Sequence, residues 1–241
     1  MGNEKLPPIP PRDPEKTPYQ TTDRREKAKG KAVERRKDVS PNLKEKPVSF
    51  TTVFDGYGKV EYKDGVLFMA PKVSTLKRND PKEFQETHGA LAVSNEIYKQ
   101  PFQLSFTMKT TKQLRQNEPP NNWEVGWFVF GYKDTGADKG KFKYMIFKPK
   151  GLELGESLLN DAQEFLYVSE TDRDLFPIGK EYKVEVRVED NIVTITVNGK
   201  QYPSYKMFAS GAKDHLTADG KFGFYTEDAA IEVFGIGGKQ L

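Results

Sequence analysis

The chain has 241 residues, 36% hydrophobic and 30% charged, with a formal net charge of +3 and no cysteine. That length allows one large domain or two small ones, and the lack of cysteine excludes disulfides and thiolate metal sites. The first 47 residues carry 13 Lys and Arg against 8 Asp and Glu, whereas the rest carry 25 against 27. The folded part is therefore close to neutral, which argues against general nucleic-acid binding, a task that needs a concentrated cationic surface.

Residues 1–47 hold 8 of the 16 prolines and no Phe or Trp. Proline at the density of residues 6–18 fixes φ and removes donors, so this stretch is expected to be polyproline II. Its Pro7-Pro8-Ile9-Pro10-Pro11-Arg12 resembles a ligand of aromatic-lined proline-binding grooves. Further on, Asp23 is placed to cap a helix with Glu26 three residues later, but Gly30 interrupts the segment and no apolar stripe exists to dock it. The expectation is a disordered basic tail, or one ordered by an acidic or protein partner, reaching about 150 Å when extended. Neither an apolar leader nor a run of about 20 apolar residues is present. Cytoplasmic synthesis without a membrane span is expected, with incorporation into a particle left open.

From residue 48 the periodicity becomes two. Phe102, Leu104, Phe106 and Met108 alternate with polar residues, as do Val184, Val186 and Val188 and then Val193, Ile195 and Val197. Asp190-Asn191 and Asn198-Gly199 mark hairpin turns. Further strands are expected at 65–70, 90–97, 125–132, 142–148, 164–168, 222–226 and 231–236, with short helical turns near 156–162 or 206–212. Large apolar residues occupy both parities at 125–132 and 142–148, so both faces of these strands are expected to be covered. No internal repeat points to a propeller. The expected fold is all-β: residues 48–241 form a two-sheet antiparallel jelly-roll sandwich behind the tail.

Three segments carry a family resemblance: KYMIFKPKGLELG at 143–155, the run from FPIGK at 176 through the hairpin ending at Lys200, and GKFGFYTEDAAIEVF at 220–234. Together they resemble the concanavalin A-like lectin and glucanase superfamily, the last being similar to the closing strands of laminin-G-like domains. The resemblance implies a sandwich but no single activity, since that superfamily includes lectins, hydrolases, lyases and structural modules.

Family 16 glycoside hydrolases of this superfamily place Glu-x-Asp-x-x-Glu on a central strand, and no such run occurs here. Glu185-x-Arg187-x-Glu189 reads as a solvated face, and Glu153 and Glu156 read as flanking a Leu-Gly turn beside a loop. The only histidines, His88 and His215, lack the tyrosine spacing that a lyase resemblance implies. Gly235-x-Gly237-Gly238 precedes no helix, so it is no phosphate loop. A structural calcium has weak candidates in Asp134 and Asp138, with Glu227, Asp228 and Asp55 as further oxygens, short of the six to eight ligands it takes.

Sugar binding uses aromatic faces beside amides and carboxylates. Asn121, Asn122, Trp123 and Glu124 are expected to form the rim of such a site, with Trp127, Tyr132 and Tyr144 on the sheet behind. The expected function is a non-catalytic lectin-like sandwich that binds glycan or serves in adhesion. The rival is a structural assembly protein, a virion or particle decoration contacting neighbouring subunits through its N-terminal arm. A polysaccharide hydrolase or lyase is the weaker alternative.

Overall fold

Alternating side chains oblige each strand to bury one face, and the chain does so by stacking two antiparallel sheets. The computed structural model describes residues 48–73, 75, 89–134, 140–157, 163–202, 204–206 and 217–241. The tail, both histidines and Asp138 lie outside these residues, as do 158–162 and 207–212 of the helical turns expected near 156–162 and 206–212; Glu156, Ser157 and Lys206 themselves are in strands. The described strands are β1 (Phe50–Phe54), β2 (Lys59–Lys63), β3 (Val66–Ala70), β4 (Gly89–Ser94), β5 (Phe102–Gln113), β6 (Gly126–Lys133), β7 (Lys141–Lys148) and β8 (Gly151–Ser157). They continue with β9 (Glu164–Glu170), β10 (Tyr182–Glu189), β11 (Ile192–Val197), β12 (Lys200–Gln201), β13 (Tyr205–Lys206), β14 (Lys221–Glu227) and β15 (Ala229–Gln240).

One sheet runs β1-β4-β14-β6-β7-β8-β9; the other runs β12-β11-β10-β5-β15-β3-β2, with β13 also on β11. Both expected turns form, with Asp190, Asn191, Asn198 and Gly199 all at positive φ, the left-handed pair that a two-residue hairpin needs. Between the sheets lies the main core. Phe106 stacks on Phe128 at 5.1 Å and meets Phe224 edge-on at 5.0 Å, joining the middle of one sheet to the middle of the other. Close approach is enforced at Gly223, where a Cβ would overlap the Ala92 carbonyl oxygen of the neighbouring strand.

The five inner strands of the seven-stranded sheet, β4, β14, β6, β7 and β8, are buried on both faces, as the apolar residues at both parities of β6 and β7 require. Phe128 and Phe130 point into the main core, while Leu91, Val93, Val125, Trp127, Val129, Tyr144, Ile146 and Tyr225 form a second cluster on the outer face.

One expectation is corrected. Glu153 and Glu156 flank no turn: they lie within β8, paired to β7 on one side and β9 on the other, and both are fully buried. Glu156 is held by an ion pair to Lys143 across the ladder, and Glu153 accepts from Lys148 Nζ at 3.3 Å and from the Tyr144 hydroxyl at 3.4 Å. These cations on β7 permit a glycine- and glutamate-rich segment to be an interior strand.

Candidate functional site

Strand register lines up one row across the outer face of the seven-stranded sheet: Phe54, Leu91, Tyr225, Trp127, Ile146, Glu153 and Val168. Trp127 is its centre. Its ring lies 4.7 Å from Tyr225 and 5.0 Å from Tyr144. Each tyrosine hydroxyl then donates to a glutamate on the far side, Tyr225 to Glu227 at 3.2 Å and Tyr144 to Glu153. Three aromatic rings are thus bracketed by two carboxylates.

At the strand ends beside the centre of this row, the loop after β5 folds against the β14–β15 turn. Trp127 Nε1 donates to the Trp123 carbonyl at 2.8 Å, pinning the loop to the sheet. Arg115 does the rest of the positioning. Its Nε donates to Glu124 Oε1 at 2.6 Å and its terminal nitrogen to Asp228 Oδ2 at 2.9 Å, with all three side chains enclosed. Asn121 Nδ2 adds a second bond to Glu124 Oε1 at 2.5 Å, and Gln113 holds the Asn121 carbonyl at 3.0 Å. An arginine that spans two carboxylates fixes both orientation and spacing, which a lysine could not do.

Burial drives the Glu124 carboxyl above the ordinary range, with Arg115 and Asn121 pulling it back. Burial also acts on Glu227, reinforced by the charges of Asp228 and Glu124, and its carboxyl is pushed up to about 7 despite the Tyr225 hydroxyl and Arg115. Tyr225 is held well above its usual value, first by burial and then by Glu227. Glu124 Oε2 is enclosed and has no hydrogen-bond partner.

Of the seven residues expected to form a sugar site, the structure brings Asn121, Asn122, Trp123, Glu124 and Trp127 together at this end. Asn122 is exposed, Trp123 is half-buried, and Asn121, Glu124, Trp127 and Tyr144 are buried. Tyr144 joins them through the Trp127 ring, whereas Tyr132 sits five residues further along β6, opposite Lys221. Asp134 is exposed just after β6. Among the described residues no group of three or more His, Asp or Glu side chains converges to hold a metal ion. Reading the sequence missed Arg115, Lys148 and Tyr225 altogether and treated Glu227 and Asp228 only as calcium oxygens. The signal that could have found Arg115 is a lone arginine preceding a loop that contains a glutamate inside an otherwise apolar strand entry.

No protein-family model matches the chain, and no curated protein matches it. Solved structures do. A carbohydrate-binding module from Bacillus subtilis superposes with a TM-score of 0.53 at 12% identity, over 82% of this chain and 98% of that one. A protein of unknown function with a galectin-like fold, also from Bacillus subtilis, gives 0.53 at 12% identity, over 79% and 89%. The fold is a two-sheet antiparallel β-sandwich, similar to that galectin-like fold. No helix among the described residues is long and apolar enough to cross a membrane.

Proposed function

We propose that the sandwich is a non-catalytic glycan-binding module, suited to adhesion, whose contact surface is the loop end around Trp123. The observation that carries this reading is the pinned loop. Trp123 keeps part of its surface open while its backbone is fixed by Trp127 and its neighbour Glu124 is fixed by Arg115. A rigid indole beside the exposed Asn122 amide matches what a pyranose requires, an apolar face to stack on and polar groups for its hydroxyls. Rigidity before binding reduces the ordering cost on association. The likeness to a carbohydrate-binding module supports the same reading at the level of fold. A glycan array followed by titration calorimetry tests it: binding is expected, and Trp123→Ala should weaken it by about 1–3 kcal/mol, the scale for losing an aromatic stacking platform. A wild-type protein that binds no glycan at high concentration overturns the reading.

A second reading, assembly into a particle through the N-terminal arm, is favoured by the charge segregated into residues 1–47. Deleting those residues should then abolish incorporation. A truncated chain that still incorporates removes this reading.

A further inference from the structure

We infer that Tyr57 is a second glycan contact, so that the ligand is an oligosaccharide chain lying across this end of the sheet rather than a single sugar ring. The inference rests on the glycan-binding reading and names the ligand's class and extent.

In the turn that joins β1 to β2, Gly58 N donates to the Asp55 carbonyl at 3.2 Å. This closes a two-residue turn whose central pair, Gly56 and Tyr57, stands at φ 63° and 59°. A left-handed backbone crowds the Cβ of an L-residue, so such turns are built from Gly, Asn and Asp. The chain follows that preference at Asp64-Gly65, Asp190-Asn191 and Asn198-Gly199. Among the described residues, every residue at positive φ is Gly, Asn or Asp except Tyr57. Burial does not offset the misfit, since Tyr57 is 63% exposed. A large ring held at a conformational cost and left in water adds little to folding, and such a misfit points to a contact made with something else.

The turn is also fixed in place. Tyr57 N donates to Asp55 Oδ1 at 2.9 Å, and Lys72 N donates to the Gly56 carbonyl at 2.9 Å. Gly56 packs against the Gly89 carbonyl and Pro71, and Gly58 against the Ala70 carbonyl, with no room for a Cβ at either. Gly89 is the cross-strand partner of Glu227, and Thr226 is that of Gly126, the first residue of β6. The Tyr57 turn and the Trp123 loop therefore close the same end of the seven-stranded sheet, three strand spacings apart, or about 14 Å. A single pyranose ring is shorter than that, whereas a chain of several rings spans it. Two aromatic residues on fixed backbone at separate points suit such a chain, because once the first is engaged the second contact is intramolecular.

The experiment is calorimetry on the full chain with the monosaccharide and hexasaccharide of β-linked glucose, β-linked galactose and N-acetylglucosamine. In the series it prefers, the wild-type protein should bind the hexasaccharide about tenfold more tightly than the monosaccharide, the upper scale for one added aromatic contact. Tyr57→Gly should erase that gain and leave the monosaccharide affinity unchanged. The same substitution should raise the midpoint of urea unfolding, because glycine suits a left-handed φ. Tyr57→Phe, which keeps the ring, should retain the gain. Trp123→Ala should weaken both lengths. A hexasaccharide affinity that survives Tyr57→Gly, an equal loss for both lengths, or a lowered urea midpoint in Tyr57→Gly each overturns the Tyr57 assignment and leaves glycan binding standing. No binding of any of these sugars by the wild-type protein overturns both.

Discussion

Tyr225 on β14 stands directly opposite Trp127 on β6, and the two rings meet at 62° with centroids 4.7 Å apart. This contact joins the acidic turn to the aromatic centre of the sheet, since Tyr225 also donates to Glu227. Trp127→Ala should cost about 3–5 kcal/mol, as expected for removing a large enclosed ring, read from the midpoint of a urea transition. Tyr225→Phe keeps the ring and removes the donor. It should change stability by much less and move the Glu227 titration upward, because the hydroxyl lowers that carboxyl.

Stability should fall as pH rises from about 4.5 to about 7. The folded Glu227 keeps its proton up to about 7, against an ordinary value of 4.5, so in this window the folded state binds the proton and the unfolded state has lost it. The contribution is fully present below 4.5, disappears through 7, and is flat beyond. Glu124, displaced in the same direction, steepens the trend. Glu227→Gln should remove on the order of 3 kcal/mol of this dependence, measured by urea unfolding at a series of pH values. A flat profile in the wild-type protein would contradict it.

Arg115 should be among the costliest polar positions. Arg115→Met leaves Glu124 enclosed without its cation, a change that typically costs about 3–5 kcal/mol. The Trp123 loop should loosen with it, seen as a red shift of tryptophan emission and faster cleavage between β5 and β6. Arg115→Lys should recover only part of the loss, since one ammonium cannot span Glu124 and Asp228 as the guanidinium does.

The Lys143–Glu156 pair should behave differently when broken and when replaced. Each partner is fully buried, so Lys143→Met alone strands a carboxylate and should destabilise by several kcal/mol. The double change Lys143→Met with Glu156→Leu should recover much of that loss. A double-mutant cycle on thermal unfolding gives the coupling. Simple additivity would argue against a coupled pair.

The strands that alternate cleanly were legible in the residues, because burial on one face leaves a period of two that nothing else imitates. Thus β5, β10 and β11 lie where Phe102, Val184 and Val193 open their patterns. The edge strand β2 was not legible, since four of its five residues are exposed and leave no apolar period. Nor was β8, where Gly151, Glu153, Gly155 and Glu156 have poor strand propensity and partners on β7, Lys143, Lys148 and Tyr144, make burial tolerable. The same limit governs the site. Asn121 through Trp127 could be picked out because they adjoin in the chain. Asp228 is 113 residues from Arg115, and the register of β15 beside β5, which pairs Ala229 with Gln113, makes them neighbours.

The two last strands occupy interior places, β14 between β4 and β6 and β15 between β5 and β3. Synthesis therefore delivers these keystones after every strand they join. Until residues 221–240 leave the ribosome, β4 and β6 have no strand to join them, and the long edge of β5 lies open as a template for other chains. Nascent chains of this protein must wait, half-paired, for residues 221–240, and a growing chain with exposed edges is the kind that chaperones hold.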